Sequence, residues 1–249
     1  ILHYDGSSWS AMSSGTTKHI DGVWGSSGSN VFAVGEDGTI LHYNGSSWSA
    51  MSSGTTNYLS GVWGSSGSDV FAVGDWGTIL HYDGSSWSVM NSGTIFNKVW
   101  GSSGSDVFAV GGRETILHYD GSSWSVMTSG TTGYLYGVWG SSGSDVFAVG
   151  YSGRILHYDG SSWSAMSSGT TSSLWGVWGS SGSNFFAVGH SGTILTRAAQ
   201  APSITISAGP NSGQTGQQLT FGASATNCTL RASGWTWGTS VGTFSGTAN

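Results

Sequence analysis

The chain has 249 residues, of which 43 are Gly, 14 are Trp and only 7 % are charged, against about 25 % charged residues in an average soluble domain. Six Lys and Arg against twelve Asp and Glu give a net charge of −6, which argues against nucleic acid or membrane as a partner, since both require clustered basic side chains. The single Cys228 excludes an internal disulfide framework and a Cys-rich zinc site, and no apolar run reaches the roughly 20 residues of a spanning helix.

The chain is dominated by an internal repeat. The Trp of a GSSW motif recurs at Trp9, Trp48, Trp87, Trp124 and Trp163, and that of a VWGSSGS motif at Trp24, Trp63, Trp100, Trp139 and Trp178. Both series step by 39 residues except for one step of 37, which places a two-residue deletion between Trp87 and Trp100. In chain order, Ile1–Tyr4 and Ser8–Met12 are predicted as the third and fourth strands (C and D) of a first unit. Complete units of strands A to D follow. In the unit around Trp63, Leu59–Gly64 is strand A, Asp69–Gly74 is B, Thr78–Tyr82 is C and Ser86–Met90 is D. Strand B has a continuous apolar centre, as expected when both faces are buried. Asp83-Gly84 between C and D is a hairpin turn signal. Asp69 and its equivalents Asn30, Asp106, Asp145 and Asn184 close the A–B turns, where a short Asx side chain is expected to bond its own turn's N–H groups. The last unit offers A, B and C, ending at Thr193–Thr196.

Four short antiparallel strands per unit of about 40 residues predict an all-β chain, a β-propeller of four-stranded blades. A ring closed by the last D strand leaves the first C strand surplus. Five blades close if one C strand is displaced; the surplus strand points rather to a longer ring, for example of seven blades. The start without Met or signal peptide likewise points to a segment of a longer chain. The repeats occupy residues 1–197, a linker 198–202, and a partial β-sandwich segment 203–249, with SITISAG, QLTFGASA and SGWTWG as its strands.

The stretch FAVGDWGTILHYDGSSWSVMNSGT (Phe71 to Thr94) resembles BNR/Asp-box-type propeller repeats, and is most similar to the photosystem II assembly-factor-like propellers of bacteria. The resemblance covers 1–197 and implies the propeller fold. Such repeats serve scaffolds, glycosidases and lectins alike. The arginine cluster of the sialidases in this wider group has no counterpart here, where Arg113, Arg154 and Arg197 form no repeated constellation. Residues 202–249 resemble the first half of a PKD-like, immunoglobulin-like module, with SGWTWG in place of the usual W-x-F-G-D-G.

Comparison of the units shows where they differ. The A–B and C–D turns hardly vary, whereas the B–C turns and D–A connections do, and both of these lie at the same end of an up-and-down sheet. Two readings remain open: free drift of loops, or a recognition surface built from side chains that stack and hydrogen-bond. On the second reading the ligand-binding residues are Lys18, His19, Asp21, Asp37, Tyr58, Asp75, Trp76, Arg113, Tyr134, Tyr136, Tyr151, Trp175 and His190. The recurrent strand C histidines, His3, His42, His81, His118 and His157, are expected to bond the Asp or Asn two residues on rather than to hold metal. With Glu36 and Glu114 the only Glu residues, and no nucleophile elbow or phosphate loop, no catalytic residue, metal or cofactor is expected. The expected function is a non-catalytic binding module, extracellular or on a bacterial surface, recognising glycan or a surface protein. The alternative is a structural spacer or a unit that assembles with copies of itself in a large surface protein or filament.

Overall fold

The computed structural model describes residues 1–90, 95–130, 132–197, 203–207 and 222–226, and the chain divides into two units, Ile1–Ala198 and Ala199–Asn249. The first unit opens with a hairpin of β1 (Leu2–Tyr4) and β2 (Trp9–Ala11). Four antiparallel sheets follow: β3 (Ile20–Ser27) to β6 (Trp48–Met51), β7 (Leu59–Ser66) to β10 (Trp87–Val89), β11 (Phe96–Ser103) to β14 (Trp124–Met127), and β15 (Leu135–Ser142) to β18 (Trp163–Met166). A fifth sheet holds β19 (Leu174–Ser181), β20 (Asn184–Gly189) and β21 (Ile194–Arg197). In the second unit β22 (Ser203–Ser207) pairs antiparallel with β23 (Gly222–Thr226). The SGWTWG segment that would test a PKD-like module, 233–238, lies outside the described residues.

Within each four-stranded sheet the strands are neighbours in sequence order, because every connection is a tight turn. The C–D hairpin shows why its residues do not vary. The Asp83 carboxylate accepts the N–H groups of Ser86 and Ser85 and the Ser85 hydroxyl, and Gly84 takes the left-handed φ of 93° that a side chain resists. Those donors, the Ser86 N–H first, hold the Asp83 carboxyl down to about 2.

The sheets stack in series through their first strands, β3 along β7, β7 along β11, β11 along β15 and β15 along β19. Each interface joins two different faces. Phe71, Val73 and Ile79 of one sheet meet Val107, Ala109, Leu117 and Tyr119 of the next, all buried. The Phe71 ring lies 5.5 Å from Tyr119 and 6.0 Å from Trp124, the latter edge to face. The same trio recurs as Phe32 with Tyr82 and Trp87, and as Phe108 with Tyr158 and Trp163. The fifth sheet has Phe185 where the others have Val, and its ring meets Phe147 at 4.3 Å in the place those aromatics fill elsewhere. The VWG tryptophans add a second contact. A Cβ on Gly101 would lie 2.6 Å from Cη2 of Trp63, so the indole edge rests on bare backbone of the next sheet. Trp24 on Gly64 and Trp100 on Gly140 repeat this seat.

Two expectations are corrected here. Among the described residues the Asx of the A–B turn does not bond its own turn's N–H groups. Asp69 Oδ1 instead accepts from His81 Nε2 at 2.6 Å, and Oδ2 from the Ser65 hydroxyl. The strand C histidine therefore bonds twelve residues upstream rather than two downstream, as His42–Asn30, His118–Asp106 and His157–Asp145 also do. The cause is register: Phe71 opposes His81 and stacks on it at 4.5 Å, which points the ring at the start of the adjacent strand, while Asp83 is occupied by its own turn. The same Asx receives the next sheet. A Cβ on Gly104 would fall on the Asp69 carboxylate, so the A–B turns are held uniform by contact between sheets rather than by left-handed backbone. Closure of the last unit by the first D strand, one of the arrangements left open above, is not formed among the described residues. The hairpin β1–β2 and the sheet β19–β21 are separate.

Candidate binding rim

Each B–C turn is one turn of 3-10 helix, at Glu36–Gly38, Asp75–Gly77, Gly112–Glu114, Tyr151–Gly153 and His190–Gly192. Its first N–H donates to a carbonyl of the D–A connection of the same sheet. These bonds are Glu36 to His19, Asp75 to Tyr58, Gly112 to Ile95, Tyr151 to Tyr134 and His190 to Ser173, at 2.8–3.0 Å. The two variable segments of every sheet are thereby tied together at one end. The middle residue of each turn, Asp37, Trp76, Arg113, Ser152 or Ser191, has φ of 54–56°. A left-handed residue with a side chain costs about 1–2 kcal/mol, yet none of these five is Gly.

Inside this row of tips lies a second row, at the second position of each first strand: Asp21, Ser60, Asn97, Tyr136 and Trp175. Contacts run through it from sheet to sheet. The Tyr58 hydroxyl donates to the Asp21 carboxylate. Lys98 Nζ donates to the Ser60 carbonyl at 2.7 Å, and the Ser60 hydroxyl to the Phe96 carbonyl at 2.7 Å. Asn97 Nδ2 donates to the Leu135 carbonyl at 2.6 Å. Tyr136 stacks on Trp175 at 4.4 Å and lies parallel to Tyr134 at 6.4 Å. The row is thus polar over the first three sheets and aromatic over the last two. Burial lowers the Lys98 ammonium from its usual value, with the Asp21 charge opposing the shift, and burial raises Tyr136.

The remaining candidates sit apart from this row. Lys18 pairs with Asp37, whose hydrogen bond raises the lysine. The Glu36 carboxylate accepts the His19 N–H at 3.3 Å, and His190 Nδ1 meets the Ser191 hydroxyl at 2.7 Å. Trp76 and Tyr151 are 75 % and 58 % exposed, and Arg113 is exposed. Of the expected ligand-binding residues, Tyr58, Asp21, Tyr136 and Trp175 are engaged in contacts between neighbouring sheets. Ser60, Asn97 and Lys98 were not among the candidate residues. The signal for Lys98 was present: it stands where the other units have Gly22, Gly61, Gly137 and Gly176, next to the two-residue deletion.

The Asp21 carboxylate pushes the Tyr58 hydroxyl up to about 12. An ordinary tyrosine titrates near about 10, so the bond stabilises the fold below that pH and is lost as pH rises through about 12. The difference between wild-type and Tyr58→Phe alkaline absorbance titrations should therefore show one late phenol, which Asp21→Asn moves earlier; an unchanged Asp21→Asn titration would refute the bond.

No family model matches the sequence, and no curated protein matches it. Solved structures do. YCF48 bound to D1 peptide superposes with a TM-score of 0.62 at 14 % identity, over 78 % of this chain and 69 % of that one. YCF48 from Cyanidioschyzon merolae gives 0.61 at 16 %, over 78 % and 74 %. The Cps50 (Swd1) β-propeller domain of Myceliophteria thermophila gives 0.60 at 11 %, over 84 % and 72 %. The fold is a β-propeller. Its five sheets are blades, their first strands line the inside of the propeller, and the tied B–C and D–A segments form one rim.

Proposed function

We propose that this propeller is a non-catalytic recognition module, extracellular or on a bacterial surface, which binds a polypeptide or a glycan across the B–C and D–A rim. The left-handed tips carry the reading. A chain with 43 glycines keeps a side chain at all five, and at Trp76 that side chain is a large aromatic facing water. Tyr and Trp held on stiff backbone give contact area at low entropy cost. The neighbour bound to a D1 peptide supports a polypeptide ligand, and the Tyr136–Trp175 stack supports a sugar ring as the second class. Variation at the rim is weaker support than the sequence suggested, since the opposite turns are held constant by packing between blades.

Screening on a glycan array and a displayed peptide library should yield a ligand. Trp76→Gly with Tyr151→Ser should then weaken binding at least tenfold. Trp76→Gly alone should leave stability unchanged or raise it by up to about 1 kcal/mol, because relief of the left-handed side chain outweighs glycine's extra chain entropy. Ser27→Ala and Ser142→Ala, in the opposite turns, should bind as wild type. Silence in both screens, or binding indifferent to the rim variants, would overturn the reading.

A further inference from the structure

The outer segment of each four-stranded blade runs from Trp to Met, as WSAM or WSVM, and the two residues serve opposite interfaces. The Met of one blade and the Trp of the next pack against the same buried cluster: Met51 with Trp87, Met90 with Trp124, and Met127 with Trp163. In the last of these joints Trp163 Nε1 donates to Met127 Sδ at 3.5 Å. The Nε1–H groups of Trp87 and Trp124 are buried and meet no acceptor among the described residues. A buried donor without a partner bears its full desolvation cost, and a thioether sulfur is only a weak acceptor. Three interfaces between four-stranded blades therefore hold an indole N–H short of a strong acceptor, each with a half-buried methionine in the same cluster.

We propose that Met51, Met90 and Met127 are oxidation sites, at which hydrogen peroxide converts the thioether to a sulfoxide that accepts the indole N–H of the next blade. The sulfur takes one peroxide oxygen and loses two electrons. The O–O bond breaks, an S–O bond forms, and the second oxygen leaves as water with both protons. Sulfoxide usually disrupts a core, because it sets a polar group among apolar ones. Here the new oxygen grows from the atom that faces Trp163 Nε1 and meets a donor already taken out of water. Oxidation thus leaves the joint between blades as firm as before or firmer. The modification lies between blades and makes no use of the rim, so it stands apart from the recognition reading.

Met127 is the site to isolate. The chain has five methionines, and Met12→Leu, Met51→Leu, Met90→Leu and Met166→Leu together leave Met127 alone, through volume-conserving exchanges that cores tolerate best. Hydrogen peroxide should add one oxygen to this folded chain, placed at Met127 by peptide mass mapping. Its thermal midpoint should hold or rise, and the indole N–H proton resonance of Trp163 should move downfield as its acceptor strengthens. Trp163→Phe in the same background removes the donor, and oxidation should then lower the midpoint. An equal loss of midpoint in both chains, an unmoved Trp163 resonance, or a Met127 that resists peroxide in the folded chain would overturn the proposal. Should the Phe variant fail to fold, the resonance alone decides.

Discussion

Phe108→Ala should cost about 3–5 kcal/mol, the range of large-to-small changes in closed cores. The ring is fully buried and holds four others, Trp100 at 6.3 Å, His118 at 4.6 Å, Tyr158 at 5.7 Å and Trp163 at 6.2 Å. Two of these belong to its own blade and two to the next, so the cavity opens an interface and not merely one sheet. The control is Phe186→Ala at the equivalent position of the fifth blade. That ring is 44 % exposed, and its removal should cost less than about 1 kcal/mol, near the range of surface changes. Urea denaturation of both variants measures the difference. Equal losses would mean that stability resides inside blades and that their contact adds little.

Gly150→Ala should be nearly as damaging, at about 3 kcal/mol, the upper end of overpacking costs. Its backbone is extended rather than left-handed, so the requirement is one of space. An added Cβ would fall on the Tyr134 carbonyl oxygen and 2.9 Å from Leu135 Cα, and neither backbone atom can turn aside as a side chain can. The displaced carbonyl is the acceptor of the Tyr151 N–H, so the variant also uncouples the two rim segments of that blade. Gly112→Ala provides the comparison. There the new Cβ would meet the Tyr134 ring at 3.5 Å and Ile95 Cβ at 3.8 Å, both ordinary contacts, and stability should move by no more than about 0.5 kcal/mol. A Gly150→Ala variant as stable as Gly112→Ala would show that the connection yields and that the tie between the loops is soft.

The strands themselves were legible because their signals are local. Asp-Gly turns, short apolar runs such as VFAV, and recurring Trp set the order of β3 to β21 and the end at which the variable segments lie. What escaped the sequence depends on register or on the next blade. The pairing of Phe71 with His81 directs that histidine to Asp69, and two-residue spacing alone suggested Asp83. The glycine seats of the tryptophans join residues 37 to 40 apart, as do the Tyr58–Asp21 bond and the reach of Lys98 to Ser60. Left-handed backbone at Trp76 was illegible for a different reason. Sequence patterns assign such a conformation to Gly, and here Gly77 follows Trp76 with its own positive φ, so two consecutive residues share the turn that one glycine appeared to explain.

The two-sided blade has a hereditary consequence. Each four-stranded unit encodes a Phe-bearing face, a Tyr- and Trp-bearing face of the kind that receives a preceding unit's Phe, and a pair of rim segments tied to each other through one backbone bond. Recombination that inserts or deletes one whole unit therefore leaves the remaining interfaces chemically the same, while a breakpoint inside a unit separates a ring from its partners. The coding sequence can add or shed displayed side chains one tied pair of loops at a time, and unequal crossing-over between near-identical units supplies such changes without new interfaces having to arise.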